Sequence, residues 1–331
     1  MRANAVAAGL LSISWVLTLS GGSLLAQTAP TEAVPAEAAP TTEMVPTTIT
    51  ETCDAAHAEP EANPAAPAAT TAAPTIINDR QVIRQIERAA SELIEAGRTT
   101  EMATLIEQLN RESCNIKLPA ASEAKLEPWQ VYESCRPGVL VVAGIFKCDR
   151  CDNWHAAPAS GFVITADGIA VTNHHVVHSP DRATLVAMTA DGRVVPVREV
   201  LAASAVDDVA IIRLEGGEFT PLPLSTNAPV GSDVFVISHP DRRFFTFSKG
   251  VVARYGTIQR ERTETAMLEI TADYARGSSG GPVLNRQGAV VGLVSSTVSV
   301  YYNTENGRKD NLQMVFKQCV PAEKVLNLIK R

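Results

Sequence analysis

Residues 160–177 read SGFVITADGIAVTNHHVV. Two short apolar runs flank Asp167-Gly168, a pair suited to the tight turn of a β-hairpin. The same pattern repeats outward from this stretch. VLVVAGIF (139–146), ATLVAMTADGRVVPVREV (183–200), VAIIRL (209–214), DVFVIS (233–238), KGVVARYG (249–256), AMLEITA (266–272) and GPVLNRQGAVVGLVSSTV (281–298) are all apolar runs broken by turn signals. Asp191-Gly192 and Gln287-Gly288 supply further hairpin turns. Many short strands with no helices between them predict an all-β barrel or sandwich from about residue 129. The terminal PAEKVLNLIKR predicts a closing helix with Pro321 in its first turn.

Upstream, the chain changes character twice. Residues 1–26 carry Arg2, an apolar run and Leu24-Leu25-Ala26, the pattern of a cleaved export signal. Residues 27–75 are rich in Ala, Pro, Thr and Glu, which predicts a disordered linker. The linker holds seven acidic residues and no Lys or Arg, so it accounts for the whole net charge of −7. The rest is close to neutral and offers no electrostatic footprint for nucleic acid. No second stretch is apolar enough to cross a bilayer, so no stable membrane insertion is expected after signal cleavage. Residues 76–115 predict a helical hairpin. Val82/Ile83, Ile86, Ala89/Ala90 and Leu93/Ile94 form a helical stripe, capped by Asn78 or Asp79 and ended by Gly97. Met102, Leu105/Ile106 and Leu109 line a second short helix. Helices this short need a neighbour to dock on.

Residues 271–284 read TADYARGSSGGPVL and pose the chemical question. A Gly-Ser cluster is either a plain turn or a loop that holds a serine out as a nucleophile. A neutral hydroxyl needs a base, and the base needs a carboxylate to orient it. VTNHHVV (171–177) offers His174 and His175 at a strand end, and DDVAIIRL (207–214) offers Asp207 and Asp208 before a buried strand.

Taken together, GFVITADGIAVTNHHVV, DDVAIIRL and GSSGGPVLNRQGAVVGLV resemble the trypsin-like serine peptidases, most closely the compact bacterial HtrA/Deg type. SHPDRRFFTFSKGVVARYG resembles that family's HPxG…GxV segment, and QMVFKQCVPAEKVLNLI its closing strand and helix. The likeness covers roughly residues 138–330 and implies a protease domain over 129–331. It implies two six-stranded antiparallel barrels with a C-terminal helix; many HtrA-type proteases carry PDZ domains after the protease domain, and here, with about 50 residues after Ser279, none is expected. The TNxHV motif selects His175 as base, D-[IVL]-A selects Asp208, and GxSGGP selects Ser279 as nucleophile. The backbone of Gly277 and Ser279 would form the oxyanion hole. Asp273, Ser295 and Ser296 would lie at the substrate pocket. The resemblance implies a serine endopeptidase acting on unfolded or damaged polypeptides, needing no cofactor, periplasmic or secreted, with a trimer as one assembly. The alternative is a latent or non-catalytic protein-binding module on the same fold.

CDRCDNWH (148–155) departs from the family. In an exported chain, Cys148 and Cys151 suit a disulfide, within the pair or to Cys135 or Cys114. Cys148, Cys151 and His155 also have zinc-like spacing, and Cys135 or His174 could complete four ligands.

Overall fold

The computed structural model describes residues 75–148, 150–260, 262–305 and 308–330. The expected signal peptide, nearly all of the linker and Cys53 lie outside the described residues.

Two helices form where the hairpin is expected, and they pack on different core clusters of the body, Ile86 and Ala90 in one and Met102 and Leu105 in the other. Helix α1 (Asp79–Glu95) is capped by Asn78, whose side chain accepts from Gln81 N at 3.1 Å. Gly97 ends it with a left-handed φ of 63°. Ile86 and Ala90 are fully buried. Burying an Ile side chain contributes roughly 1.5–3 kcal/mol, which a free helix could not collect. Helix α2 (Met102–Glu107) buries Met102 and Leu105. A two-residue strand β1 (Cys114–Asn115) follows.

The barrel strands begin at Val139, later than the pattern predicts. The stretch Pro128–Cys135 is a helix, α3, with Pro at its first turn and a capping box between Glu127 and Gln130. The first barrel comprises β2 (Val139–Lys147), β3 (Trp154–Val163), β4 (Ile169–Thr172), β5 (Thr184–Met188), β6 (Val194–Ser204) and β7 (Val209–Leu214). It closes antiparallel in the order β2-β3-β4-β7-β6-β5. One helical turn, α4 (His174–Val177), leaves β4.

The second barrel comprises β8 (Asp233–Ser238), β9 (Thr246–Arg260), β10 (Thr263–Ile270), β11 (Pro282–Leu284), β12 (Val290–Glu305) and β13 (Arg308–Pro321). Its order is β10-β13-β12-β11-β8-β9, closed by β9 on β10. The expected all-β architecture of two six-stranded barrels is what the chain adopts. Closure removes the exposed sheet edges that would otherwise pair with other chains. The three hairpin glycines, at 168, 192 and 288, all have positive φ. The closing helix α5 is Ala322–Asn327, with Pro321 at its N-cap, one position before the first turn. The chain ends in β14 (Ile329–Lys330), parallel to β1, so the N-terminal segment and the C-terminus are stitched together.

Candidate active site

His175 sits in α4, just beyond β4. The extended arrangement expected for the two histidines is replaced by a helical turn, which sends His174 to stack on His178 at 5.6 Å. The ring of His175 turns to Asp208 instead. Its Nδ1 lies 2.9 and 3.0 Å from the two Asp208 oxygens, and its backbone N–H donates to Oδ1 at 3.1 Å.

Asp208 occupies the turn between β6 and β7 with φ 59°, a left-handed conformation that Asp tolerates better than most residues. Asn173 Nδ2 donates to its carbonyl at 2.8 Å and pins the turn. The side chain is nearly buried, and Ser295 Oγ donates to Oδ2 at 2.7 Å. Burial pushes the carboxyl pKa up. The hydrogen bond and charge of His175, with the Ser295 hydroxyl, outweigh this and hold it below the ordinary carboxylate range. Neighbouring Asp207 faces elsewhere. It accepts from Thr265 on β10 and pairs with Lys324 on α5, so it joins the second barrel and the closing helix to the first.

Ser279 lies in the loop between β10 and β11. The two adjacent serines diverge. Ser278 is fully buried and accepts from Ser238 Oγ at 2.9 Å. Ser279 is partly exposed, and its Oγ donates to the Ser295 carbonyl at 3.4 Å. Among the described residues no hydrogen bond joins Ser279 Oγ to His175. Serine–histidine contacts of this kind are often loose without substrate.

The first barrel holds this loop. Ser160 on β3 donates its N–H to the Ser279 carbonyl at 2.8 Å and its hydroxyl to the Gly277 carbonyl at 3.0 Å. Gly280 approaches so closely that a Cβ there would stand 2.2 Å from the Ser160 carbonyl oxygen. The Arg276 carbonyl accepts from Asp241 N at 2.6 Å. In a trans peptide the carbonyl and the next N–H point opposite ways. That contact therefore turns the Gly277 N–H away from Asp241. Among the described residues, the N–H groups of Gly277 and Ser279 have no partner within the chain.

Beneath the loop, His239 is wholly buried. Its Nε2 meets the Leu140 carbonyl at 3.0 Å and its Nδ1 accepts from Phe245 N at 3.0 Å. Those partners fix one neutral tautomer. Burial drives its pKa down to about 4.

The expected pocket residues are placed differently. Asp273 is 91% exposed and pairs with Lys317 at 3.3 Å on the outer side of the second barrel. Ser295 spends its hydroxyl on Asp208, and Ser296 Oγ meets Gln318 Oε1 at 3.2 Å. Tyr274 is buried beside them and donates to the carbonyls of Ser296 and Gln318 at 3.0 and 2.9 Å. Arg260 on β9 had no signal in the sequence. It donates to Ser295 Oγ at 3.0 Å and stands 3.7 Å from Asp208 Oδ2.

The five described cysteines are unbonded. Cys135 is buried against the Gly288 carbonyl and Cys114 lies at the Leu328 carbonyl, so neither meets Cys148 or Cys151. Cys148, Cys151 and His155 converge, their ligand atoms all within 4.8 Å of one another. Neither Cys135 nor His174 belongs to that group.

Residues 159–293 match the model of the Trypsin-like peptidase domain family. A DegP-like periplasmic serine endoprotease of Pseudomonas putida is 32% identical over 143 residues, covering 41% of this chain and 28% of that protein. The mitochondrial serine protease HTRA2 of Bos taurus is 31% identical over 150 residues, covering 42% and 31%. The matched stretch is thus about a third of these relatives' length. Among solved structures, the HtrA-type protease AlgW with a decapeptide aligns at TM-score 0.48 and 15% identity, over 61% of this chain and 65% of that one. Residues 159–293 of this chain are thus similar to the trypsin-like peptidase domains, and about two fifths of the chain is similar in sequence to the HtrA/DegP serine proteases.

Proposed function

We propose that this chain is an exported serine endopeptidase that hydrolyses peptide bonds in unfolded or damaged polypeptides. Ser279 is the nucleophile, His175 the general base and Asp208 the group that orients it. The observation that carries the reading is the convergence of His175 and Asp208 with a nucleophile loop whose Gly277 and Ser279 N–H groups are unpaired. Oγ attacks the scissile carbonyl while His175 takes its proton. This step requires the Ser279 side chain to leave the Ser295 carbonyl, where its Oγ now rests, and turn to His175. The oxyanion is met by the two free N–H groups, each worth about 3–4 kcal/mol where such donors have been removed. His175 returns the proton to the leaving amine, and water releases the acyl group by the same route. Asp208, already ionised, keeps the imidazole in the right tautomer and stabilises its charged form.

The leader pattern of residues 1–26 and the periplasmic relative support export. Among the described residues no helix is long and apolar enough to cross a membrane. Ser279 Oγ resting on Ser295 rather than His175 favours a second reading, a latent form or a binding module. Fluorophosphonate labelling and casein cleavage separate the two. The peptidase reading expects both in the wild type and neither in Ser279→Ala. A folded wild type that takes no label sinks it.

A further inference from the structure

The loop between β2 and β3 carries chemistry that peptide hydrolysis does not use. Cys148 Sγ and Cys151 Sγ are 3.2 Å apart, and His155 Nε2, at the start of β3, is 3.0 Å from Cys151 Sγ. Two sulfurs and one imidazole nitrogen face a common point. Behind the ring, Glu87 on α1 places Oε1 3.6 Å from His155 Nδ1. The same Oε1 accepts from Ala156 N at 3.3 Å, which fixes the carboxylate in that position. At that distance the carboxylate makes a charge contact rather than a hydrogen bond, and on the far nitrogen it favours the tautomer that leaves the Nε2 lone pair toward the sulfurs, as in carboxylate–histidine–metal arrangements.

Distances choose between the two chemistries open to the pair. In a tetrahedral zinc site, with Zn–S of about 2.3 Å, two sulfurs stand about 3.8 Å apart. The thiols reach that by spreading about 0.6 Å. A disulfide, at about 2.05 Å, requires them to close by about 1.2 Å and leaves the convergent histidine and Glu87 without a role. Two thiolates and an imidazole are a borderline-soft donor set that suits Zn²⁺ and excludes Ca²⁺ and Mg²⁺.

We propose that Cys148, Cys151 and His155 bind one Zn²⁺ ion, with water in the fourth position and Glu87 holding His155 from behind. Loading exchanges the two thiol protons for the metal: Zn²⁺ binds both thiolates and two protons leave to solvent. The ion ties the β2–β3 loop to the first turn of β3 and, through Glu87, to α1. The cavity beside the cluster includes Arg242, which also borders the cavity at Arg276 and Gly277. The metal would therefore brace the wall behind the nucleophile loop and take no part in hydrolysis.

The test uses the exported chain, reduced and stripped of metal, titrated with Zn²⁺ against a chromophoric chelator. One ion per chain is expected to bind. Co²⁺ in its place should give sulfur-to-cobalt charge-transfer bands. Cys151→Ser and His155→Ala should lose this binding, and Glu87→Gln should weaken it about 10–100-fold. The melting temperature should rise with Zn²⁺ in the wild type but not in Cys151→Ser. These positions lie at the surface, and near-UV circular dichroism checks that the variants fold. Equal Zn²⁺ affinity in wild type and Cys148→Ser/Cys151→Ser overturns the proposal. So does a Cys148–Cys151 disulfide in the natively exported chain.

Discussion

Replacing Ser295 with Ala tests whether the hydroxyl serves the buried Asp208 carboxylate. Both residues are 6% exposed and the bond is 2.7 Å long. A hydrogen bond to a buried charge is worth about 1.5–3 kcal/mol, and Ser→Ala leaves little cavity to add to that. The expected loss at pH 7 is about 2 kcal/mol, felt as a rise of the folded-state pKa of Asp208 toward its unfolded value. The sign follows from linkage. The folded carboxyl is held below its unfolded value, so its contribution is fully present above about pH 4 and lost as pH falls through the folded value. The deficit of the variant should therefore be full at pH 7 and shrink below about pH 4. Arg260 modifies the result. It bonds to the same hydroxyl, and its buried Nη1, 3.7 Å from Asp208, has no hydrogen-bond partner. Once the hydroxyl is gone, the guanidinium can close on the carboxylate and recover part of the loss. Ser295→Ala in an Arg260→Gln background should then cost at least about 0.5 kcal/mol more than in the wild-type background. Urea denaturation across pH measures all four corners of the cycle. A Ser295→Ala deficit that is the same at pH 7 and pH 3 refutes the reasoning, because the hydroxyl would then not be stabilising the charge.

His239, with its pKa near 4, should cost the native state up to about 3 kcal/mol as pH falls from about 6.5 toward 4; His239→Gln should flatten that slope in urea titrations while lowering stability at neutral pH. Gly277→Ala places a Cβ 2.5 Å from the His239 carbonyl oxygen at φ 96°, so it should displace the loop and cut fluorophosphonate labelling about 10²–10³-fold while circular dichroism stays native. Asp273→Ala should leave the cleavage-site preference in a peptide library unchanged, because that carboxylate faces Lys317 and solvent. Tyr274→Ala should lower stability by about 3–5 kcal/mol in urea denaturation, because the ring is part of a buried core cluster and its hydroxyl holds the Ser296 and Gln318 carbonyls.

What could be read from the sequence was whatever one segment determines for itself. The hairpins announced themselves because Asp167-Gly168 and Asp191-Gly192 carry their own turn geometry, and both glycines have positive φ. Helix α3 also had local signals, Pro128 and the Glu127–Gln130 box, but they lay against the start of a β-rich run and were absorbed into it. The carboxylate beside His175 was legible as one of two adjacent aspartates. The D-[IVL]-A motif selects Asp208 of the two, but the task of Asp207, joining Thr265 and Lys324, was not legible because both partners lie far along the chain. Arg260 and Glu87 had no signal, and Ser295 was expected at the pocket rather than on Asp208, because each acts on a residue far away in the chain. The placement of Asp273 beside Lys317 was not legible, because an offset from the serine says nothing about how the preceding turn is wound.

The same division explains how the site is held. The nucleophile loop has no strand of its own between Ile270 and Pro282, so its shape is imposed from outside. Ser160, on the first barrel, grips two of its carbonyls, and Asp241, on the loop after β8, grips a third. Every carbonyl so held orients the amide that follows it, and those amides include the Gly277 N–H. The consecutive left-handed residues Asp241 and Arg242, with φ of 47° and 62°, are the strained part of this support, and His239 beneath them is the buried post that keeps them in place. Backbone in sparsely populated conformations persists only where its surroundings over-determine it. The N–H groups proposed as oxyanion donors are therefore set by packing around His239 as much as by the glycines of the loop. A change that loosens this post should lower labelling of Ser279 before it lowers the melting temperature of the barrels.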